Sequence, residues 1–145
     1  MDALERSVSS FPFFLMLGDE ILINPKVEEM CQFYNNQYCL DGIIGYCKGT
    51  LEEIKKTYSI KKLNDTVLSL TEKPINSMNN LIGTGYCIIG KDLFRTMLGS
   101  GEKNFVEAID QSIKKGKLVK IFEVCSRYFN INTFEDLKRY LEETK

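Results

Sequence analysis

The stretch Phe13-Phe14-Leu15-Met16-Leu17-Gly18-Asp19-Glu20-Ile21 decides the fold class that this sequence predicts. Near-continuous apolar runs are typical of strands that are covered on both faces of a parallel sheet. Ligands of open α/β sheets lie outside the carboxyl ends of such strands. Gly18 lacks a Cβ, so backbone or a ligand can approach it closely. The next residue, Asp19, could then face a metal ion or a hydroxyl group. The alternative is that Gly18 and Asp19 form only a strand-ending turn.

The composition is that of one soluble globular domain spanning residues 1–145. Hydrophobic residues make up 43% and charged residues 27% of the chain, which is ordinary for this class. The formal net charge of −1 provides no field that would attract nucleic acid or an acidic membrane surface. The apolar runs are too short to span a bilayer and no signal peptide is recognised, so we expect a cytoplasmic protein.

The chain contains five cysteines and no histidine. The spacing of the cysteines fits no zinc pattern, and small hydrophobic thiols in a reducing compartment explain them best. Without histidine, Ser-His and Cys-His nucleophilic catalysis are both excluded. The cysteines are Cys31, Cys39, Cys47, Cys87 and Cys125.

Hydrophobic periodicity outside the opening stretch predicts strands that alternate with helices. A pattern of this kind, with one hairpin, indicates an α/β domain with a mixed sheet. The predicted strands are 13–17, 40–47, 58–63, 66–70, 82–89 and 118–124. The predicted helices are the helix end at 2–9, one starting at Asn24-Pro25, a short one capped by Thr50, 91–98, 105–115, and a last one capped by Thr133.

Three further clusters could have a function. In Glu72-Lys73-Pro74, the carboxylate could hold a sugar hydroxyl and the ammonium a phosphate, although a solvated turn is the alternative. The paired glycines of Gly83-Thr84-Gly85-Tyr86 could bring backbone N–H groups to a ligand, or could mark a bulge. Tyr128-Phe129-Asn130-Ile131-Asn132-Thr133 offers two side-chain amides before a helix, or simply the cap of that helix.

Taken in order, the four clusters resemble the C-terminal part of the sugar-phosphate nucleotidyltransferases, the nucleoside-diphosphate-sugar pyrophosphorylases. Leu17-Gly18-Asp19-Glu20 matches the Gly-Asp that ends that family's central strand, and Glu72-Lys73-Pro74 matches its Glu-Lys-Pro. Gly83-Thr84-Gly85-Tyr86 is similar to its Thr-Gly-x-Tyr strand start, and residues 128–137 are similar to its closing motif. The resemblance covers essentially the whole chain. It implies a Rossmann-like nucleotidyltransferase fold with a mixed, mainly parallel sheet plus a β-hairpin.

This resemblance also implies a reaction, in which a sugar 1-phosphate attacks the α-phosphorus of a nucleoside triphosphate and gives a nucleotide sugar and pyrophosphate. Such a displacement needs positioning and charge neutralisation, supplied largely by Mg²⁺ and cationic side chains. The site residues that the resemblance implies are Asp19 and Asn130 for Mg²⁺, and Glu72, Lys73, Thr84 and Gly85 for the sugar phosphate, with Asp19 and Lys73 catalytic.

Two departures from the family pattern affect this interpretation. Asn130 stands where the family usually has an aspartate, so one negative charge that would face the metal is lost. The family's glycine-rich G-x-G-x-R loop, which binds the triphosphate, has no counterpart in this sequence. The nearest glycine-rich stretch is Gly99-Ser100-Gly101-Glu102-Lys103, and it lies too late in the chain to be that loop. We therefore expect an N-terminally truncated domain that lacks roughly the family's first hundred residues, a size within the usual domain range.

Three hypotheses about function follow. The chain could be the acceptor-and-metal half of a nucleotidyltransferase that is inactive without a missing half from another chain. It could instead be a non-catalytic remnant that binds a sugar phosphate or a partner protein. An unrelated α/β binding domain is the third hypothesis. If strands are missing beside residues 13–17, the uncovered edge should also cause self-association or binding of a partner chain.

Overall fold

A six-stranded mixed sheet forms the centre of the computed structural model, which describes residues 10–145. A second sheet of two strands packs beside it, and five helices complete this part of the chain. The strands are β1 Phe13–Leu15, β2 Glu20–Ile23, β3 Gly42–Lys48, β4 Tyr58–Leu63, β5 Thr66–Glu72, β6 Leu81–Ile89, β7 Val119–Glu123 and β8 Arg127–Asn130. The helices are α1 Val27–Asn35, α2 Leu51–Ile54, α3 Lys91–Leu98, α4 Phe105–Lys114 and α5 Phe134–Glu143.

The order of the strands in the large sheet is β1-β6-β3-β7-β5-β4. Strands β3 and β7 are parallel neighbours, and the other pairings described are antiparallel. Following these pairings across the sheet, β1, β3, β7 and β4 run in one direction while β6 and β5 run in the other. The predicted mixed α/β architecture is thus confirmed, and the predicted hairpin, β4–β5, belongs to the same sheet. The sheet is not mainly parallel, because β3–β7 is the one parallel pairing among the five described.

Helices cover both faces of this sheet. The neighbouring residues Ile43 and Ile44 of β3 belong to two separate buried clusters, as expected when alternate side chains point to opposite faces. The cluster around Ile44 includes Leu93 of α3 and Ile109 of α4. The cluster around Ile43 includes side chains of α1 and α2. Two-sided burial explains why β3 and β6 are almost uninterrupted apolar sequences.

The opening strand is an edge strand, so the prediction of a buried central strand was wrong for the part of the chain that the structure describes. Strand β1 is short, and among residues 10–145 it pairs only with β6. The predicted strand continued to Leu17, but Met16 is 60% exposed and Leu17 is 42% exposed. Within the described residues β1 has a neighbouring strand on one side, so the apolar run 13–17 is incompletely covered. Strands β3 and β6 lie at the centre of the sheet instead.

The two-stranded sheet was not predicted. Strands β2 and β8 pair antiparallel, with Glu20 opposite Asn130, and we call this pair the ribbon. Its two strands are short and lie about a hundred residues apart in sequence, so no turn signal joins them. The ribbon nevertheless brings the first and fourth sequence clusters together.

Local capping signals were read correctly in two helices and incorrectly in one. Thr50 and Thr133 form the capping boxes of α2 and α5. Asn24 does not cap α1, which begins at Val27; Asn24 has a φ of 51° and its side-chain amide donates to Ser126 Oγ. The helix end predicted at residues 2–9 lies outside the described residues. Between residues 10 and 145, no helix has the length and apolarity needed to cross a membrane.

Candidate functional site

A pocket of about 190 Å³ lies between the ribbon, the hairpin and the start of α4. We call it the ribbon pocket. Its walls combine aromatic rings with side chains that can donate or accept hydrogen bonds, as small-molecule sites usually do. The polar residues that line it are Glu20, Lys56, Thr57, Tyr58, Glu72, Asn104, Tyr128 and Asn130.

Glycines of β6 allow two side chains to cover this strand. A Cβ on Gly83 would overlap the ring of Tyr58, whose hydroxyl donates to the carbonyl of Thr84. A Cβ on Gly85 would overlap the side chain of Leu17. The sequence left open whether these glycines allow the approach of a ligand or mark a bulge, and the pairing of β3 with β6 does shift register here, between Ile44 and Tyr46. In the structure, side chains of the same chain lie against both of them, and Tyr58 and Leu17 then form part of the pocket wall.

Thr84 does not reach the pocket. Its side chain is completely buried, and its hydroxyl donates to the carbonyl of Gly45 at 2.8 Å while accepting from the N–H of Tyr86 at 3.2 Å. The first bond connects β6 to β3 inside the sheet, and the second lies within β6. The hydroxyl of Thr84 is therefore committed to the core.

Glu20 is a pocket residue to which the sequence analysis assigned no role. The N–H of Gly85 donates to both carboxylate oxygens at 2.9 and 2.8 Å, and the hydroxyl of Tyr128 donates to Oε1 at 3.0 Å. Burial raises the pKa of Glu20 to about 7 in spite of these hydrogen bonds, and the nearby charge of Asp19 adds to the increase. Glu20 thus joins the ribbon to β6 and presents a carboxyl group to the pocket.

The two predicted magnesium ligands lie at the same end of the ribbon. Asp19 is exposed in the turn before β2, and its carbonyl accepts from the N–H of Ile131 at 2.8 Å. Asn130 lines the pocket, and its Oδ1 accepts from the side-chain amide of Asn132 at 2.6 Å. Among the described residues, no group of three or more His, Cys, Asp or Glu side chains could hold a metal ion. Asp19 and Asn130 offer only part of a coordination shell.

Of the adjacent residues Glu72 and Lys73, Glu72 alone is a lining residue of the pocket. Glu72 lines the pocket, where burial raises its pKa and a hydrogen bond from Asn104 and the charge of Lys73 oppose that increase. Lys73 is exposed, with a φ of 42°, and its N–H donates to the carbonyl of Thr57 at 2.7 Å. The lysine among the pocket-lining residues is Lys56, which no sequence motif indicated, and its Nζ lies 3.6 Å from Asp136 Oδ1.

No protein-family model and no curated protein sequence matches this chain. Solved structures do match its fold. A protein from Bacillus anthracis assigned as a glucose-1-phosphate thymidylyltransferase, in complex with sucrose, has a TM-score of 0.78 and 16% identity, covering 93% of this chain and 55% of that one. The inositol-1-phosphate CTP transferase from T. maritima gives 0.76 and 18%, covering 96% and 56%. A UDP-glucose pyrophosphorylase complexed with UDP-glucose gives 0.75 and 19%, covering 96% and 59%.

These matches show that the described chain has the nucleotidyltransferase fold that the sequence motifs indicated. The sequence identities are low, so they show the fold alone. The chain spans a little over half the length of the structures that it matches, between 53% and 59%.

Proposed function

We propose that this chain is the acceptor-and-metal portion of a sugar-phosphate nucleotidyltransferase and is incomplete or inactive alone. In the proposed reaction, a phosphate oxygen of the sugar 1-phosphate attacks the α-phosphorus of a nucleoside triphosphate. The bond between the α-phosphorus and its bridging oxygen breaks, and pyrophosphate leaves with that oxygen. One observation supports this proposal above the others: the ribbon pocket contains Glu72 and Asn130 from two separate motifs of that family, within its fold.

The pocket has the chemistry that a sugar requires. The carboxylates of Glu20 and Glu72 can accept hydrogen bonds from hydroxyl groups, and the amides of Asn104 and Asn130 can donate or accept. The rings of Tyr58 and Tyr128 supply flat apolar surface. Two cations are candidates for the phosphate: Lys73, which is exposed next to Glu72, and Lys56, whose Nζ lies 3.6 Å from Asp136 Oδ1. We propose Gly85 as a backbone spacer beneath Leu17, and we do not assign Thr84 to ligand binding.

We propose that Asp19 and Asn130 would hold Mg²⁺, because both offer oxygen ligands at one end of the ribbon. Mg²⁺ is commonly bound by one or two carboxylates plus substrate phosphates, so a partial shell from the protein fits this ion. When bound, the ion neutralises charge on the reacting phosphates. The protein groups would do the rest: Lys73 would bind the acceptor phosphate, and Glu72 would orient the sugar.

A non-catalytic sugar-phosphate-binding or protein-binding domain of the same fold is the second candidate. Two observations favour it. Asn130 supplies no charge to a metal, and the described residues contain no three-residue group of metal-binding side chains. The two candidates share the acceptor pocket and differ in whether the chain contributes to turnover.

Calorimetry with α-D-glucose 1-phosphate and myo-inositol 1-phosphate, in the presence of Mg²⁺, is expected to detect one site. Lys73→Ala and Glu72→Gln should each weaken binding about tenfold, since each removes a hydrogen bond to or from a charged group. Lys115→Ala is the matched control, because Lys115 is exposed at the far end of α4. Equal affinity of the wild type and Lys73→Ala would refute the phosphate role of Lys73.

The same samples distinguish the two candidate functions. We expect the isolated chain to release no pyrophosphate from any nucleoside triphosphate supplied with these acceptors. Turnover by the chain alone would contradict the proposal that it is incomplete. If Mg²⁺ leaves acceptor affinity unchanged and Asp19→Asn has no effect on it, the non-catalytic candidate is favoured.

We also propose that the chain associates with a second copy or with a partner chain through β1. Within residues 10–145 no strand pairs with the outer edge of β1, and this edge and the exposed side chains of Met16 and Leu17 support the proposal. Light scattering is expected to detect self-association of the wild type and less of it in Met16→Lys, which puts a charge at this edge. Met78→Lys, at a loop position that is 92% exposed, is the control. A strictly monomeric wild type would contradict the self-association.

A further inference from the structure

Two buried polar atoms of the described residues have no hydrogen-bond partner: Oγ1 of Thr57 and Nε of Arg139. Both residues line the same small cavity of about 10 Å³, which we call the inner cavity. Its other lining residues are Glu53, Lys56, Tyr128, Asn130 and Asp136. An unpaired buried donor or acceptor costs about 1–3 kcal/mol. Because both residues that carry such an atom line one cavity, a polar group inside it would remove this cost.

We propose that the inner cavity binds one hydroxyl oxygen, which bridges Thr57 Oγ1 and Arg139 Nε. The size fits, because about 10–15 Å³ of such volume is enough for one water oxygen. The chemistry also fits. The Nε–H group of Arg139 can only donate, so its partner must be an acceptor, and a hydroxyl oxygen can accept this bond and still donate to Thr57.

The position of Thr57 leaves only its hydroxyl group available. Its N–H donates to the carbonyl of Ile54 at 3.0 Å, and its carbonyl accepts from the N–H of Lys73 at 2.7 Å. The residue is 8% exposed, and its side chain is branched at Cβ and stiff. The hydroxyl therefore stays at the cavity wall.

The guanidinium group of Arg139 is also held in place. It lies over the ring of Phe129, 5.5 Å from the ring centroid, and its Nη2 is 3.6 Å from Glu53 Oε1. Its Nε is 3.6 Å from Glu143 Oε1, which is too long for a good hydrogen bond. The charge of Arg139 is thus balanced, while its Nε–H donor remains without an acceptor.

The bridging oxygen can come from a water molecule or from a hydroxyl group of the acceptor sugar. The second source rests on the proposed function. It is supported by the shared wall, since Lys56, Thr57, Tyr128 and Asn130 line both the inner cavity and the ribbon pocket. A sugar hydroxyl that enters the inner cavity would replace the water there.

A double-mutant cycle on the ligand-free protein tests the bridge. Thr57→Val removes the hydroxyl with little change of shape and should lower the melting temperature by about 3 °C. Thr57→Ser, which keeps the hydroxyl, should recover most of this loss. In an Arg139→Met background, Thr57→Val should have almost no effect, because the bridge is already broken. A Thr57→Val protein that melts at or above the wild-type temperature, with the same shift in both backgrounds, would overturn the proposal.

Affinity measurements distinguish the two sources. Monodeoxy analogues of α-D-glucose 1-phosphate are compared on the wild type and Thr57→Val by calorimetry. If a sugar hydroxyl enters the cavity, Thr57→Val should weaken binding of the parent compound about tenfold and leave one deoxy analogue unaffected. If all analogues respond equally, or none binds, while the melting-temperature coupling is present, the oxygen is water. The two experiments are thus independent: the bridge can be supported while the proposed function fails, and the proposed function can be supported while the bridge fails.

Discussion

Glu20→Gln is expected to be more stable than the wild type by about 3 kcal/mol at pH 8, but by less than about 1 kcal/mol at pH 4.5. The reason is the raised pKa of Glu20, about 7 in the folded chain against an ordinary value of 4.5. The folded state binds this proton more tightly than the unfolded state. The contribution to stability is therefore fully present below about pH 4.5 and is lost as pH rises through 7. Glutamine stays neutral at every pH.

Urea unfolding of both proteins from pH 4.5 to 8, with a chelator present to exclude metal ions, measures this difference. Glu29→Gln, at an exposed position on α1, should follow the wild-type profile throughout. Parallel pH profiles for the wild type and Glu20→Gln would show that the hydrogen bonds from Gly85 and Tyr128 keep Glu20 ionised, against the effect of burial.

Elements with a local signal were predictable from the sequence. The hairpin turns at Asn64-Asp65, and Asn64 has the positive φ that such turns require. Thr50 and Thr133 form capping boxes with acidic residues three positions later, so their helices start where the sequence indicated. The buried strands β3 and β6 were recognisable because they are apolar over most of their length.

The parts that escaped prediction depend on contacts between distant residues. Glu20 follows Asp19 directly, and a carboxylate in that position gives no sign that it will be buried between Gly85 and Tyr128. Lys56 and Thr57 belong to no motif, and they line the pocket together with Tyr128 and Asn130 of the distant strand β8. The site is therefore a property of the ribbon, whose two strands are far apart in sequence.

Phe129→Ala is expected to destabilise the chain by about 3–5 kcal/mol, the usual range for deleting a fully buried phenylalanine. Phe129 is 1% exposed, and its ring meets Tyr140 of α5 edge to face with centroids 5.2 Å apart. The guanidinium groups of Arg127 and Arg139 lie 5.3 and 5.5 Å from its centroid. The ring thus fastens the ribbon to α5, and its neighbours Tyr128 and Asn130 line the pocket.

Denaturant unfolding gives the free energy of unfolding of three variants: Phe129→Ala, Phe129→Leu and Phe134→Ala. Their comparison measures how much of the loss of stability comes from the aromatic interactions of the Phe129 ring. Phe134 is 76% exposed at the start of α5, and its removal should cost less than about 0.5 kcal/mol. Phe129→Leu keeps most of the apolar contact but loses the interactions of the ring with Tyr140 and the two arginines, so its cost should lie between the others. Equal costs for Phe129→Ala and Phe134→Ala would mean that the ribbon is not fastened to α5 through this ring.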